Sequence, residues 1–584
     1  KQPVLARLVD LKDRFLTNFQ TTLIKASIQQ SVGEYLTKTL LIWTGGGLIL
    51  GMILALIFFL ILKITVLFTI LPPLFLGFGL IMLIVYPFIK VDMRESKINA
   101  NLPILITYMG GISTSKASRD QLFENVSKRE KSFGIAALEI RRIRTLAVEW
   151  NFGYLQAIEK VSRTTPSRRF GDFLSRFSQA LDAGEKLQGY FKKEQTSQLT
   201  GYISDYKRKL KSLEVLNDAF TALSTSLSFI AITFLLMMFL FGSNKQANTI
   251  NLFLILFVIE LVYVCLMIIF YVTAPKDKLI KVQRNTSEYE KVLYAFLICV
   301  FIFLPLLILF SYLLTDAEGE RIISIPVFMI VFGLAMFVPG YLAEQFENIV
   351  KRRDDNFPVF IRTLGGTTAL LGGSIFDSVK IISQEQFGPL TEDIKLLYTQ
   401  SRFGIDPKVA WQWFSSTTCS SLIDRFLRIF TSSLDIGGSP DVVSTFISTN
   451  LEKVLELRQD RHQVIQVFKG TMLPLTAINI GTMIFMRSVL TLLHQTMGAL
   501  TSIDGLDFKL GNPPPEFFIE IFFIVYYLTI PLWACMGINI PQKGSWMKIS
   551  KYLSQYYLLT GLELVIVGNL AQTVMQGFGV SFGA

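Results

Sequence analysis

The segment LPILITYMGG at residues 102–111 returns as FPVFIRTLGG at residues 357–366. The proline, the apolar residues around it and the closing glycine pair keep their positions in both copies. Each glycine pair is either a close helix crossing or a helix break, and the apolar flanks favour a crossing because small residues let backbones approach. Self-similarity of this kind predicts a duplicated structural unit.

The match continues in register over about eighty residues, while the separation between the copies drifts only from 255 to 253. The later matches are Phe133-Gly134 with Phe387-Gly388, and Phe173-Leu174, Phe177, Leu181-Asp182 and Gly184 with Phe426-Leu427, Phe430, Leu434-Asp435 and Gly437. Apolar residues at spacings of three and four predict an amphipathic helix in each copy. Each copy is therefore predicted to be a small antiparallel helical bundle.

Long apolar segments surround the two copies. Hydrophobic residues make up 51% of the chain and charged residues 17%, with a mean hydropathy of +0.47, whereas soluble domains carry about 25% charged residues. A bilayer core of about 30 Å needs roughly 20 apolar residues per helix. Nine segments meet this requirement: about 40–62, 64–89, 219–241, 250–273, 291–314, 324–343, 468–493, 515–540 and 552–578, of which the last is the most polar.

The distribution of basic residues predicts which side each loop occupies. With the N-terminus inside, the inside loops hold 14 Lys and Arg residues and the outside connections hold 4. Four spans separate the two polar stretches, so both are expected in the cytoplasm. The prediction is an all-α, polytopic membrane protein with about nine transmembrane helices and two related cytoplasmic helical-bundle domains. Its parts are the cytoplasmic segment 1–39, transmembrane helices in 40–89, cytoplasmic domain 90–218 (repeat 1), transmembrane helices in 219–343, cytoplasmic domain 344–467 (repeat 2), and transmembrane helices in 468–584.

Residue types that perform catalysis or bind metals are not grouped in this sequence. The four cysteines show no CxxC spacing, and His462 and His494 stand alone, so these residues are expected to be structural. The sequence has no GxxxxGK[ST] phosphate loop, HExxH or GxSxG motif. The isolated Asp354-Asp355 pair is expected to cap a helix or face solvent. We expect no enzymatic activity, no cofactor and no bound metal, so another protein must power any work done here.

Two helical domains bracketed by spans, with the Gly-Gly and Phe-x-x-x-Phe-x-x-x-Leu-Asp-x-Gly patterns in both copies, resemble the platform proteins of the type II secretion and type IV pilus superfamily. The nine-span layout most resembles the archaeal branch, which includes the membrane core of the archaellum and of archaeal adhesive pili. The resemblance implies a membrane platform that docks a cytoplasmic hexameric secretion ATPase. It also implies that pilin or archaellin subunits pass from the membrane into a growing filament. The sequence leaves open whether that filament is an archaellum or an adhesive pilus.

The two repeats differ in charge. Repeat 1 contains 23 Lys and Arg and 15 Asp and Glu residues, whereas repeat 2 contains 13 and 15. One interpretation is a solvated basic face near anionic lipid headgroups, where each charge is worth about 1 kcal/mol. The other is that the basic surface docks an acidic surface of the ATPase, with charge steering the encounter. The candidate docking residues are Arg141, Arg142, Arg144, Arg168 and Arg169. Nucleic acid is not an expected partner because surface aromatics do not interleave with these clusters.

Four ionisable residues lie inside the predicted spans and away from the span ends. Inserting a charged side chain there costs about 2.5–3.5 kcal/mol on insertion scales, so a charged residue at such a position is expected to have a function. Arg487 and Glu520 share a depth on adjacent spans and are predicted to form an intramembrane ion pair. Glu260 and Glu563 lie near the middle of the membrane. They either pair internally or form a polar seat for the helix of an incoming pilin.

A secondary transporter is the alternative function, since internal repeats and carboxylates near the midplane also occur in transporters. Transporters, however, place their repeats in the spans, whereas the repeat here lies in the polar domains. A membrane enzyme is disfavoured because no convergent set of catalytic groups is present. The lipid bilayer is an expected partner. Gly47 and Gly51 form a GxxxG motif in the first span that would permit a homodimer.

Overall fold

The computed structural model describes residues 17–28, 30–62, 65–115, 117–241, 245–275, 277–282, 286–305, 325–372, 374–500 and 514–581. The fold of this part of the chain is all-helical, as predicted. Within it, the backbone pairs in β-fashion only at the isolated bridge between Ile280 and Ser420.

Nineteen helices are labelled here in chain order. They are α1 (17–25), α2 (Val32–Leu62), α3 (Thr65–Ile112), α4 (Arg119–Ser127), α5 (Glu130–Phe133), α6 (Ile135–Arg144), α7 (Tyr154–Thr164), α8 (Arg168–Asp182), α9 (Leu187–Phe241), α10 (Lys245–Thr273), α11 (Ser287–Ile298), α12 (Ile325–Leu370), α13 (Ile375–Ile382), α14 (Leu390–Arg402), α15 (Pro407–Thr417), α16 (Ser421–Asp435), α17 (Pro440–Leu500), α18 (Glu516–Gln542) and α19 (Ile549–Ser581). Short π-helical turns follow α6 at Thr145–Glu149 and α11 at Cys299–Phe303.

Five helices of the described chain are long and apolar enough to cross a membrane: α9, α10, α12, α17 and α18. They contain the predicted spans 219–241, 250–273, 324–343, 468–493 and 515–540, apart from residues 324 and 515, which precede the helices. The other four predicted spans are not among these five. Of them, 40–62 and 552–578 lie on α2 and α19, 64–89 lies mostly on α3, and 291–314 runs into residues outside the described ranges.

The helices of repeat 1 return in repeat 2 at the separation seen in the sequence. Helices α7 and α8 and the start of α9 reappear as α15, α16 and the start of α17, each 253 residues later. Phe387 lies 254 residues after Phe133 but Phe426 lies 253 after Phe173, so repeat 1 holds one extra residue between these points. The π-helical turn Thr145–Glu149 lies in this interval. A π turn accommodates one extra residue in a helix, which explains the step in the separation from 254 to 253.

The chain forms two compact units. The first comprises the described residues up to Tyr202 together with Arg428–Asn450. Its core contains the predicted aromatic stripe of α8, since Phe170, Phe173 and Phe177 are fully buried. The start of α17 packs against α3 and α9, where Asn450 donates to Thr107 Oγ1 and the Gln195 side chain donates to the Phe446 carbonyl at 3.1 Å. Part of repeat 2 therefore completes the core around repeat 1.

The second unit comprises Ile203–Leu427 and Leu451–Ala584. Its apolar core is formed by α9, α10, α17, α18 and α19, with Met329 of α12. Helices α12 and α19 cross so closely that a Cβ on Gly340 would lie 2.4 Å from the Lys551 backbone nitrogen. Below this crossing Glu347, which is fully buried, lies 3.1 Å from Lys548 and 2.9 Å from Lys351. Burial would raise the pKa of Glu347, but Lys548 and Lys351 outweigh it and lower the pKa.

Candidate docking surface, membrane charges and a buried charge cluster

The candidate docking arginines of α6 lie on its last turn and are half-exposed. Arg144 Nε lies 3.2 Å from Asp120 Oδ1 and Arg142 lies 3.8 Å from Glu139. Arg141 donates to the Ser127 carbonyl at 2.9 Å. Each side chain therefore keeps one edge on the domain and presents the rest to solvent.

Arg168 and Arg169 occupy the first two positions of α8, directly after the N-cap Ser167. Two cations there oppose the helix dipole, which favours negative charge at a helix N-terminus. Arg169 donates to the Gln198 carbonyl at 3.1 Å, whereas the Arg168 side chain is exposed. Local helix stability does not explain these two residues, which is compatible with a binding role.

Asp120 connects the α6 arginines to the turn that follows them. The Tyr154 hydroxyl donates to Asp120 Oδ1 at 2.5 Å, on the same oxygen that Arg144 contacts. The hydrogen bond from Tyr154, followed by the contribution of Arg144, lowers the pKa of Asp120. The last turn of α6 and the first turn of α7 are thereby fixed to α4 as one surface.

The structure places the four membrane charges at three positions. Glu260 of α10 accepts a hydrogen bond from Trp533 Nε1 of α18 at 2.7 Å, and its other oxygen is buried without a partner in the described chain. Glu563 of α19 likewise has one buried oxygen without a partner among these residues. Arg487 and Glu520 lie 3.3 Å apart, and both side chains are exposed. Sequence reasoning missed Trp533 because it lies 273 residues from Glu260.

A buried charge cluster in the second unit joins the loop after α10 to three long helices. It consists of Tyr206, Asp277, Asp354, Ser420, Arg458 and Arg461, and we call it the Asp277 cluster. Asp277 accepts from Arg461 at 2.7 Å and from Arg458 at 3.1 Å. It also accepts from the Tyr206 hydroxyl at 3.2 Å. Burial alone would raise the pKa of Asp277, but Arg461 and Arg458 outweigh it and lower the pKa.

Asp354 of α12 is the second carboxylate of this cluster. Its Oδ2 lies 2.9 Å from Arg458, and its Oδ1 accepts a hydrogen bond from the Ser420 hydroxyl. Burial raises the pKa of Asp354 to about 6, against the opposing effect of Arg458. The expectation that Asp354 caps a helix or faces solvent is therefore wrong, because this side chain is 2% exposed.

Backbone contacts hold the same loop against the start of α16. Ser421 N donates to the Leu279 carbonyl at 3.1 Å, and Lys281 N donates to the Cys419 carbonyl at 2.9 Å. Lys281 Nζ also lies 2.6 Å from Asp424. The loop between α10 and α11 is therefore attached to repeat 2 by main-chain and ionic contacts.

Sequence reasoning did not single out the Asp277 cluster. One signal was available: Asp354 occupies the position of Asn99 in repeat 1, and Ser420 occupies the position of Ser167. An acid that replaces a neutral amide in one copy of a repeat marks a place where the copies have different partners. Within the described chain, no group of three or more metal-ligating side chains is present.

Comparison with known proteins identifies the family. Flagella accessory protein J of Methanocaldococcus jannaschii is 33% identical over 393 residues, which cover 66% of this chain and 68% of that protein. The protein of the same name from Methanococcus voltae is 28% identical over 502 residues, which cover 84% of this chain and 88% of that protein. No family model matches the chain, and no solved structure matches it significantly. The chain therefore belongs to the flagella accessory protein J family, in the archaeal branch of platform proteins that its repeat and span layout resembles.

Proposed function

We propose that this chain is the membrane platform of an archaellum, which anchors a hexameric secretion ATPase on the cytoplasmic side and passes archaellin subunits from the membrane into the filament. The names of the relatives favour the archaellum over an adhesive pilus. They do not favour the alternative of a secondary transporter.

The observation that carries this proposal is that single helices combine a membrane-length apolar segment with a long polar segment. Helices α9, α12 and α17 contain 55, 46 and 61 residues. At 1.5 Å per residue, α17 is about 90 Å long, which is three times the thickness of a bilayer core. A force applied to the polar end of such a helix would pass along a continuous helix to its apolar end, although Pro339 and Pro358 interrupt the hydrogen-bond ladder of α12 and Pro474 interrupts that of α17.

The Asp277 cluster supports the same proposal. It joins α9, α12 and α17 to the loop that follows α10, through contacts of 2.7–3.2 Å from Tyr206, Arg458 and Arg461. Buried charged groups are weak evidence for stability but can fix one specific arrangement. In this proposal, the cluster makes these four helices move together when the ATPase changes conformation.

The proposed docking surface for the ATPase is the part of repeat 1 formed by Arg141, Arg142, Arg144, Arg168 and Arg169. The full chain in detergent or nanodiscs and the purified ATPase provide the binding assay. Reversal of Arg141, Arg142 and Arg144 to Glu should weaken binding by about tenfold or more at low salt, and the difference should shrink as salt rises. Reversal of Lys207, Arg208 and Lys211 is the matched control, because it changes the same charge at residues that also have acidic neighbours.

Equal binding by the two charge-reversal variants would remove the α6 arginines from the docking surface. Absence of binding by the unmodified chain would refute the ATPase-anchoring function itself. Cysteine labelling of repeat 1 and repeat 2 from the two sides of the membrane tests the cytoplasmic placement. Labelling of the two repeats from opposite sides would contradict the proposed topology.

Glu260 and Glu563 each have one buried oxygen that lacks a partner among the described residues, and these oxygens are the proposed seat for the archaellin helix. Glu260→Gln keeps an oxygen that can accept from Trp533 Nε1, so the fold should persist while filament assembly fails. Phe257→Leu, on the exposed part of α10, controls for a general effect of substitution in that helix. Normal filaments on cells that carry both Glu260→Gln and Glu563→Gln would refute the seat.

A further inference from the structure

Each repeat exposes a large aromatic side chain at the same turn. In repeat 1 this is Trp150, between α6 and α7, with 66% of its surface exposed. In repeat 2 it is Phe403, between α14 and α15, with 80% exposed. Phe403 lies 253 residues after Trp150, which is the separation of the helices that follow each turn.

The backbone of the two turns is also equivalent. Trp150 has φ −98° and ψ 2°, and Phe403 has φ −79° and ψ 7°. The next residue has positive φ in both, at 57° for Asn151 and 74° for Gly404. The extra residue of repeat 1 lies in the π turn before Trp150, so the insertion leaves the aromatic residue at the corresponding place. The duplicated fold therefore presents an exposed aromatic side chain at the same turn in each repeat.

The predicted spans 64–89 and 324–343 put both turns far from the membrane. In the first unit, a Cβ on Gly110 would contact Phe191, the Phe191 ring packs 5.3 Å from Phe177, and the Ser178 hydroxyl donates to the Leu155 carbonyl. This chain of contacts places the Trp150 turn at the level of Gly110, which is 21 residues beyond the predicted span 64–89, or about 30 Å along α3. With residues 64–89 in the membrane as predicted, Trp150 would lie beyond the lipid headgroups.

In the second unit, Phe376 of α13 follows the end of α12, and its ring packs 6.2 Å from Tyr398 of α14. Phe376 lies 33 residues beyond the predicted span 324–343, of which 27 extend α12 to Leu370. At 1.5 Å per residue, that part of α12 is about 40 Å long. The turn that holds Phe403 follows α14 directly and is likewise remote from headgroups.

Basic side chains accompany the aromatic residue in both turns. Arg142 and Arg144 end the helix before Trp150, which directly follows exposed Glu149, and exposed Arg402, Asp406 and Lys408 flank Phe403. Basic side chains therefore outnumber acidic ones by two to one at each turn. Trp150 is further surrounded in sequence by exposed apolar residues, namely Val148, Phe152 and Leu155. Such a surface fits an apolar pocket with an acidic rim.

We propose that Trp150 and Phe403 are duplicated anchors that insert into the same apolar, acid-rimmed pocket on two identical subunits of the ATPase ring. The proposal rests on the proposed function, and it identifies the two residues through which the chain contacts the ATPase. Two equivalent anchors on one chain fit a partner that presents one pocket several times, as a ring of identical subunits does. A buried aromatic anchor flanked by charge is also the usual composition of a binding hot spot.

The test measures the affinity of the purified ATPase for the full chain in nanodiscs. Trp150→Ala and Phe403→Ala should each weaken binding by about tenfold. The double variant should lose about a hundredfold or more, because linked sites contribute together. Trp150→Phe should retain most of the affinity. Phe376→Ala is the matched control, since it removes an aromatic side chain of repeat 2 that is 43% exposed.

The outcomes separate this proposal from the proposed function. If the alanine variants bind the ATPase like the unmodified chain while the α6 charge reversal weakens binding, the anchors are wrong and the docking function stands. If Trp150→Ala weakens binding and Phe403→Ala does not, the proposal that each repeat holds an anchor is wrong. Quenching of Trp150 fluorescence by brominated lipids, measured against Trp150→Phe, would place this residue in the headgroup layer and also overturn the proposal. No binding by the unmodified chain overturns both ideas.

Discussion

Repeat 1 and repeat 2 have a serine hydroxyl at the same position, but this hydroxyl has a different partner in each repeat. In repeat 1, the Ser167 hydroxyl caps α8 and hydrogen-bonds Asn99 Oδ1 at 2.5 Å. In repeat 2, the Ser420 hydroxyl accepts from the backbone at the start of α16 and donates to Asp354. The geometry has been kept in both copies, while a neutral amide in one copy is a carboxyl group in the other.

The partner of that carboxyl group explains the exchange. Arg458 lies 2.9 Å from Asp354 and also contacts Asp277. The residue that corresponds to Arg458 in repeat 1 is Asp205, whose side chain lies 2.5 Å from Arg208 on the same helix. The neutral hydrogen bond between Ser167 and Asn99 in repeat 1 shows that the helical bundle does not need an ion pair at this position. The charge in repeat 2 therefore serves the attachment of the loop after α10 rather than the bundle itself.

A second pair of positions shows what both copies require. Glu139 of α6 lies 3.0 Å from Arg94 of α3, and its counterpart Asp393 of α14 lies 3.0 Å from Arg353 of α12. Both acids are nearly buried. An acidic residue on α6, and on its counterpart α14, thus pairs with an arginine on the long helix of the same repeat. This contact belongs to the common fold, whereas the Asp277 cluster belongs to repeat 2.

Substitution of Arg458 and of its counterpart in repeat 1 should produce the largest difference in unfolding free energy between the two repeats. Arg458→Gln removes the cation shared by Asp354 and Asp277 and should cost about 3–5 kcal/mol of unfolding free energy, as when one partner of a buried ion pair is lost. Asp205→Asn, at the corresponding position of repeat 1, should stay within about 0.5 kcal/mol of the unmodified chain. Thermal unfolding in detergent measures both.

A double variant sharpens this result. Arg458→Gln with Asp354→Asn should recover part of the stability lost by Arg458→Gln alone, because no uncompensated carboxylate remains at residue 354. Equal losses for Arg458→Gln and Asp205→Asn would show that the two repeats do not differ here. Strict additivity in the double variant would show that Arg458 and Asp354 do not interact.

The helices and the repeat could be predicted from the sequence because both depend on local periodicity. The stripe of Phe170, Phe173 and Phe177 is buried as its spacing predicted. Residues far apart in sequence could not be paired in this way, since contacts across helices depend on helix rotation and depth. Asp277 and Arg458, 181 residues apart, and Glu260 and Trp533, 273 residues apart, are examples. Arg487 and Glu520 could be proposed as a pair from the sequence because they lie at similar positions in adjacent predicted spans, and their side chains lie 3.3 Å apart.

The stability of the second unit should depend on pH through Asp354, with no counterpart at Asn99. The pKa of Asp354 is raised to about 6 from 3.8, so its protonation favours the folded state. That stabilisation is fully present below about pH 3.8 and is lost as the pH rises to about 6, a change on the order of 3 kcal/mol. The pKa of Asp277 is lowered instead. The stabilisation that ionised Asp277 provides is therefore lost only as the pH falls below the usual pKa of an aspartate.

The measurement is the difference in unfolding temperature between the unmodified chain and Asp354→Asn from pH 4 to pH 8. This difference should change between pH 4 and about 6 and stay constant above 7, because only residue 354 differs between the two proteins. Asn99→Ala provides the repeat 1 reference and should show no such step. A constant difference across the whole range would contradict a raised pKa for Asp354.

The smallest effects are expected at the glycine pairs, where the two repeats should respond with opposite signs. A Cβ on Gly111 would lie 2.8 Å from Ser433 Oγ and 3.4 Å from Val443, whereas a Cβ on Gly366 would meet nothing within 4 Å. Gly111→Ala should therefore destabilise the protein by about 1 kcal/mol through overpacking. Gly366→Ala should stabilise it by about 0.5–1 kcal/mol, because alanine favours the helix over glycine. If both substitutions change the unfolding temperature in the same direction, close packing is not what distinguishes the first glycine pair from the second.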